Sequence, residues 1–349
     1  MPSLSKFRVL RVLDIENGEE MTHNYFEHIR MLLQLKYLRL NLRSIDVLPE
    51  QLGELQHLRT LDLRGTKITK LPKSIVHLQN LTCLRVKNLE LPENIANLYA
   101  LEELSDIQIN RYCLASSLLG LGSLTKLRIL RLHWCIANTH PDSKVFVNNL
   151  LSSLRKLGRF NLRHICIQSY YGYSIDFLLD SWFPTPHLLQ KFEMNLNYHF
   201  PRIPDWIASH GKLTYLNINV NPVDEETLEI LGSLPSLMFL WVTSNAAAPK
   251  ERLVVSSSMF ICLKEFQFTC WSNGTGLYFG IQHLSSLRHL VVEIICSGAT
   301  VQEVEALEEA IRSAANLLPN HPTLELQTWD EEKMAKEESV GQEEISTSR

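Results

Sequence analysis

The spacing Leu58, Leu61, Leu63, followed by Ile68, Leu71 and Pro72, constrains this chain more than any other feature, because it returns along nearly the whole length. Side chains alternate across an extended strand, so the three leucines turn inward from one short strand while Thr60, Asp62 and Arg64 face the other way. One such unit cannot bury its apolar face alone, and copies must stack.

The frames Leu10/Leu13/Ile15, Leu35/Leu38/Leu40, Leu58/Leu61/Leu63 and Leu81/Leu84/Val86 open the series. The steps from 35 to 58 and from 58 to 81 fall inside the ~20 to 29 residues of a leucine-rich repeat. Leu101/Leu104, Leu127/Leu130/Leu132, Leu157/Phe160/Leu162 and Leu189/Phe192/Met194 follow at longer, irregular steps. Leu213/Leu216/Ile218, Leu237/Leu240/Val242, Leu263/Phe266/Phe268 and Leu287/Leu290/Val292 restore the regular spacing, for about twelve repeats. The expected fold is an α/β leucine-rich repeat solenoid: a curved horseshoe with a parallel β-sheet on its concave face and an irregular or helical convex side.

A single repeat domain is expected over residues 1–329, with a C-terminal cap at 301–329. Val304, Leu307, Ile311 and Leu318 keep helical spacing there, and a last strand follows at Leu324 and Leu326. The seven acidic and three basic residues of 330–349 account for the whole net charge of −4, leaving the solenoid formally neutral. That stretch has almost no large apolar residues and reads as an acidic disordered tail. Only residues 1–6 precede the first repeat, so the chain is expected to be part of something longer. Inserts stretch the frame at 113–119, 137–149 and 169–186; the last gathers Tyr170, Tyr171, Tyr173, Trp182 and Phe183, with Ile175, Phe177, Leu178 and Leu179 favouring packing on the convex side.

Seven cysteines without paired or metal-ligand spacing read as thiols in a reducing compartment, and no apolar run is long enough to span a membrane. The expected location is cytoplasmic. No GxSxG, HExxH or CxxC motif occurs, and Cys135 with His133 and His140 is the nearest approach to a nucleophile and base. The chain is therefore expected to be no enzyme and to need no cofactor or metal. A neutral solenoid also argues against nucleic acid as a partner.

The stretch LRTLDLRGTKITKLPKSIVHLQNL at 58–81 resembles the repeats of plant intracellular immune receptors, the nucleotide-binding leucine-rich-repeat family, particularly the coiled-coil type of grasses. VLPEQLGEL at 47–55, LPENIANL at 91–98 and FPRIPDWI at 200–207 extend the similarity. Pro72 fixes its own φ and holds Leu71 extended, which turns the chain across the solenoid edge. The resemblance implies a non-enzymatic recognition domain that senses a pathogen effector or a guarded host protein and restrains activation in the defence response. The family's nucleotide-binding module is not seen, since the only Gly-Lys pair, Gly211-Lys212, runs into the Leu213 repeat frame. A free-standing repeat scaffold or adaptor, in signalling or ubiquitin ligation, is the alternative.

Partner-binding residues are expected on the concave face. Arg39, Asp62, Arg64, Arg85, Lys87, Arg131, His133, Trp134, Arg159 and Arg163 form a mostly basic ladder. It suits an acidic surface such as the nucleotide-binding domain of a receptor, in the same chain or in trans. Tyr215, Asn217, Phe239 and Trp241 form an aromatic and polar stretch, beside Lys191 and Glu193, suited to a protein ligand.

Overall fold

The computed structural model describes residues 9–16, 28–169, 173–180, 182, 187–194, 197–244, 259–271 and 283–335. Residues 1–6, Tyr170, Tyr171, Phe183 and the 336–349 part of the expected tail lie outside the described residues. The chain divides into two compact units, Met1–Asn219 with Leu234–Leu237, and Val220–Ser233 with Met238–Arg349. A stacked array allows this, because each repeat touches only its neighbours and no single centre holds the whole.

In the first unit nine strands pair in parallel and in sequence order. They are β1 Val12–Glu16, β2 Tyr37–Asn41, β3 Thr60–Asp62, β4 Cys83–Glu90, β5 Glu103–Ile109, β6 Ile129–Trp134, β7 His164–Ser169, β8 Lys191–Met194 and β9 Tyr215–Asn219. The second unit holds β10 Phe239–Thr243, β11 Glu265–Trp271, β12 His289–Ile295 and β13 Thr323–Trp329, again parallel and sequential.

The repeat frame explains both layers. Leu38, Leu61, Leu84, Leu104, Leu130 and Ile165 follow one another through the pairing register and are all buried. Just before most strands, one carbonyl accepts two N–H groups of the next repeat: Arg11 O from Lys36 and Tyr37, Lys36 O from Arg59 and Thr60, Arg59 O from Thr82 and Cys83. The same fork is made by Met238 O and Lys264 O in the second unit. Both lone pairs of those carbonyls are thereby used, which fixes the register in the backbone itself.

The returns follow the Leu-Pro turns. Pro49 and Pro72 are extended and each opens a 3-10 turn, Glu50–Glu54 and Lys73–His77. The Glu50 carboxylate accepts the backbone N–H groups of Lys73 at 3.1 Å and Ser74 at 2.9 Å, joining neighbouring returns. Two inserts become helices: Ala115–Leu121 and Ser143–Gly158 pack together, with Asn149 donating to Ala115 O at 3.0 Å. The third insert feeds the core, for Ile175, Leu178 and Trp182 are all at 0% exposure. Trp182 meets Trp206 at 4.7 Å, and Trp206 meets Phe192 at 5.1 Å.

The helix Val301–Asn316 starts with a capping box between Thr300 and Glu303, where the cap was expected. The ordered chain continues past the expected boundary at 330. Glu331–Lys333 form a 3-10 turn, Gly298 donates to Lys333 O at 3.0 Å, and Ala335 donates to Ala299 O at 2.9 Å.

Candidate partner-binding surface

The open sheet face of the first unit carries most of the expected basic ladder, and its charges are already matched. Arg39 lies 3.3 Å from Asp14 and also pairs with Glu16, both on β1. Arg85 grips Glu103 with two bonds of 2.8 Å. Arg131 lies 3.7 Å from Asp106 and 3.3 Å from Glu193. His133 Nε2 lies 3.5 Å from Asp106. Among the described residues, Lys87 is the exposed exception on this face that forms no ion pair.

Glu193 is the hub. His164 Nε2 lies 3.2 Å from it, Lys191 Nζ pairs with it, and Arg131 reaches it from two strands away. Burial opposes its ionisation, but the hydrogen bonds from His164 and Lys191 outweigh that cost and hold its pKa at about 2. Lys191 Nζ also sits 3.7 Å above the Tyr215 ring centroid, so this half-buried tyrosine is engaged through a cation–π contact.

Four expected positions differ from the ladder. Asp62 is 1% exposed, so it supports the face rather than contacting a partner directly; Arg64 covers it, with Nε at 3.0 Å and Nη2 at 2.7 Å. Burial works against the Asp62 charge, and the bonds from Arg64 prevail, leaving its pKa lowered. Trp134 has the parity of Leu130 and Leu132, so alternation sends it inward, where it is 1% exposed and packs 4.9 Å from Phe177. Arg159 and Arg163 are exposed but precede β7, because the helix Ser143–Gly158 absorbs Leu157 and the strand frame is Leu162/Ile165/Ile167. The outward residues of β7 are His164, Cys166 and Gln168, in register with Ile129, Arg131 and His133. Asn217 keeps its expected strand but is only 9% exposed.

In the second unit, register aligns outward residues in rows across the strands. Phe239, Glu265, His289 and Thr323 form the first; Trp241, Gln267, Val291 and Glu325 the second; Thr243, Thr269, Glu293 and Gln327 the third; Trp271, Ile295 and Trp329 the last. Phe239 and Trp241 are half-buried. Trp241 Nε1 donates to Thr269 Oγ1 at 3.1 Å, Thr269 donates to Glu293 Oε2 at 2.7 Å, and Gln267 donates to Glu293 Oε1 at 3.0 Å. Sequence reading missed Trp271, Glu293 and Trp329, which extending the same alternation to seven-residue strands would have reached.

Among the described residues the thiols form no reaction centre. Burial pushes the Cys83, Cys113, Cys166 and Cys270 thiols up to about 12 and raises Cys135 as well, keeping all five protonated. Cys135 Sγ contacts the backbone oxygen of His133, and the His140 ring packs edge-on against Phe146, so no nucleophile–base pair forms. Among the described residues no group of His, Cys, Asp and Glu is placed to hold a metal, and no helix is long and apolar enough to cross a membrane.

The family described as "Leucine-rich repeat region" matches residues 1–275. Disease resistance protein RGA5 of Oryza sativa subsp. japonica is 27% identical, over 91% of this chain and 31% of its own length. Disease resistance protein Pik-2 from the same organism is 29% identical, over 70% of this chain and 27% of its own. The chain thus spans about a third or less of these curated relatives. Among solved structures, the Leptospira interrogans LRR protein LIC12759 has a TM-score of 0.54 at 19% identity, covering 93% of this chain and 80% of that one, a likeness of fold alone.

Proposed function

The chain belongs to the leucine-rich repeat family, and we propose on that premise that it is the non-enzymatic recognition domain of an intracellular plant immune receptor. It reads a pathogen effector or a guarded host protein, in the cytoplasm, and helps to restrain the receptor until that ligand arrives. The observation that carries this reading is the aromatic and acidic open face of the second unit. Trp241 is held there by a hydrogen bond and remains part-exposed, as an interface anchor must be.

Restraint through an acidic nucleotide-binding domain falls to the cations that the sheet leaves unmatched. Lys87, Arg159 and Arg163 are exposed and form no ion pair among the described residues. Reversing Arg85 or Arg131 would break bonds inside this domain and confuse docking with folding.

The test uses a full-length receptor carrying this domain, expressed in leaves with its recognised ligand. Trp241→Ala should abolish ligand-triggered cell death while the protein accumulates normally, and joint reversal of Lys87, Arg159 and Arg163 to glutamate should release cell death without ligand. Unchanged responses in both variants would sink the reading.

A further inference from the structure

We propose that the open face of the second unit takes arginine side chains presented by its protein partner, with the guanidinium stacked on Trp329 and its charge met by Glu293. The proposal rests on that face being a recognition surface and adds the chemistry of what it recognises.

The first ground is an uncancelled charge. Glu293 is held by Gln267 and Thr269, two neutral donors that fix the carboxylate without neutralising it. No ion pair forms to Glu293, Glu265 or Glu325 among the described residues, and the outward rows of β10–β13 contain no lysine or arginine. A carboxylate oriented in this way is prepared for a charge-assisted bond with an incoming cation.

The second ground is the adjoining aromatic row. Register places Trp271 and Trp329 on either side of Ile295, roughly 10 Å apart at a strand spacing of ~4.8 Å. Trp329 is 52% exposed at the outer strand. The row therefore sets the exposed Trp329 ring beside an aliphatic neighbour, two residues along the strands from the carboxylate row. Acidic charge continues beyond it at Glu331 and Glu332, while Asp330 is paired with Lys333 at 2.7 Å.

Arginine suits this arrangement better than lysine. Its planar, weakly hydrated guanidinium can stack on an indole while its N–H groups bond the carboxylate, whereas an ammonium is a compact, strongly hydrated point charge. A glutamate-bearing or purely apolar partner would leave the Glu293 charge opposed or buried without a cation.

The experiment titrates the full chain with a fluorescein-labelled octapeptide of alternating glycine and arginine, beside the lysine and glutamate versions, at low and high salt. Saturable binding of the arginine peptide is expected, weakened by salt, with the lysine peptide about threefold weaker and no binding of the glutamate peptide. Trp329→Ala should weaken it about three- to tenfold, and Glu293→Gln about fivefold. Glu54→Gln, which removes an exposed carboxylate from the first unit, should leave affinity unchanged. Should Glu293→Gln lower the melting temperature, Glu325→Gln on the exposed strand supplies the charge test. Absence of saturable binding, equal binding of the glutamate peptide, or indifference to both face variants overturns the proposal. If Trp241→Ala silences the receptor yet the arginine peptide does not bind, the recognition reading stands and the cationic ligand falls. Peptide binding with a silent Trp241→Ala effect gives the reverse.

Discussion

The two open sheet faces share one backbone plan and treat charge in opposite ways. In the first unit Arg39, Arg85 and Arg131 each meet a carboxylate of another repeat and Arg64 one of its own, so charge is consumed within the domain, mostly in holding repeats together. In the second, Glu293 is oriented by an amide and a hydroxyl, so its charge stays available to a visitor. Residue type alone cannot distinguish an adhesive face from a receptive one; the partner of each charge does.

The sharpest way to break this comparison is to remove a cation from the first face. Arg131→Ala leaves both Asp106 and Glu193 short of a partner, and should cost about 2 kcal/mol in denaturant melts, roughly 1 kcal/mol for each part-exposed pair. A loss no greater than that of an ordinary surface change would mean that the first face is as uncommitted as the second.

Acid titration should give an effect of similar size. With the Glu193 pKa held at about 2 against an ordinary 4.5, its contribution is complete above 4.5 and is lost as pH falls toward 2. The melting temperature should decline through that window by the equivalent of about 2 kcal/mol, and Glu193→Gln should flatten the decline.

On the second face the same operations should do little to stability. Trp241→Ala should cost about 1 kcal/mol, from partial burial and one hydrogen bond. Glu293→Gln should stay within about 0.5 kcal/mol, since no cation is stranded. Measured melts that placed Glu293→Gln beside Arg131→Ala would erase the contrast.

How much of this was legible varies with the range of the interaction. Strand positions followed from local spacing, as Leu58/Leu61/Leu63 and Leu287/Leu290/Val292 show, because alternation is decided within a few residues. The slip at β7 arose where LGRFNLRHICI offers two overlapping frames, one starting at Leu157 and one at Leu162, and only the end of the helix Ser143–Gly158 chooses between them. The charge pairs were hidden for a different reason. Arg131 finds Glu193 through two strand pairings, and Asp106 is itself left-handed at a register shift in β5. Neither is a property of nearby sequence. Trp134, by contrast, could have been placed inward by parity with Leu130 and Leu132 alone.

The forked carbonyls bear on where the array comes apart. Each fork needs two consecutive N–H groups from the following repeat, and the final repeat offers only one, because Pro322 stands beside Thr323 and has no N–H to give. Arg288 O accepts Thr323 alone, at 2.9 Å. β13 is therefore tied at its start by a single thread where the forked junctions have two, and amide exchange should be fastest there among the paired strands. The strand that displays Trp329 is also the first to peel, so a ligand that binds β12 and β13 together would act as a clasp, and protection of the β13 amides would report its arrival.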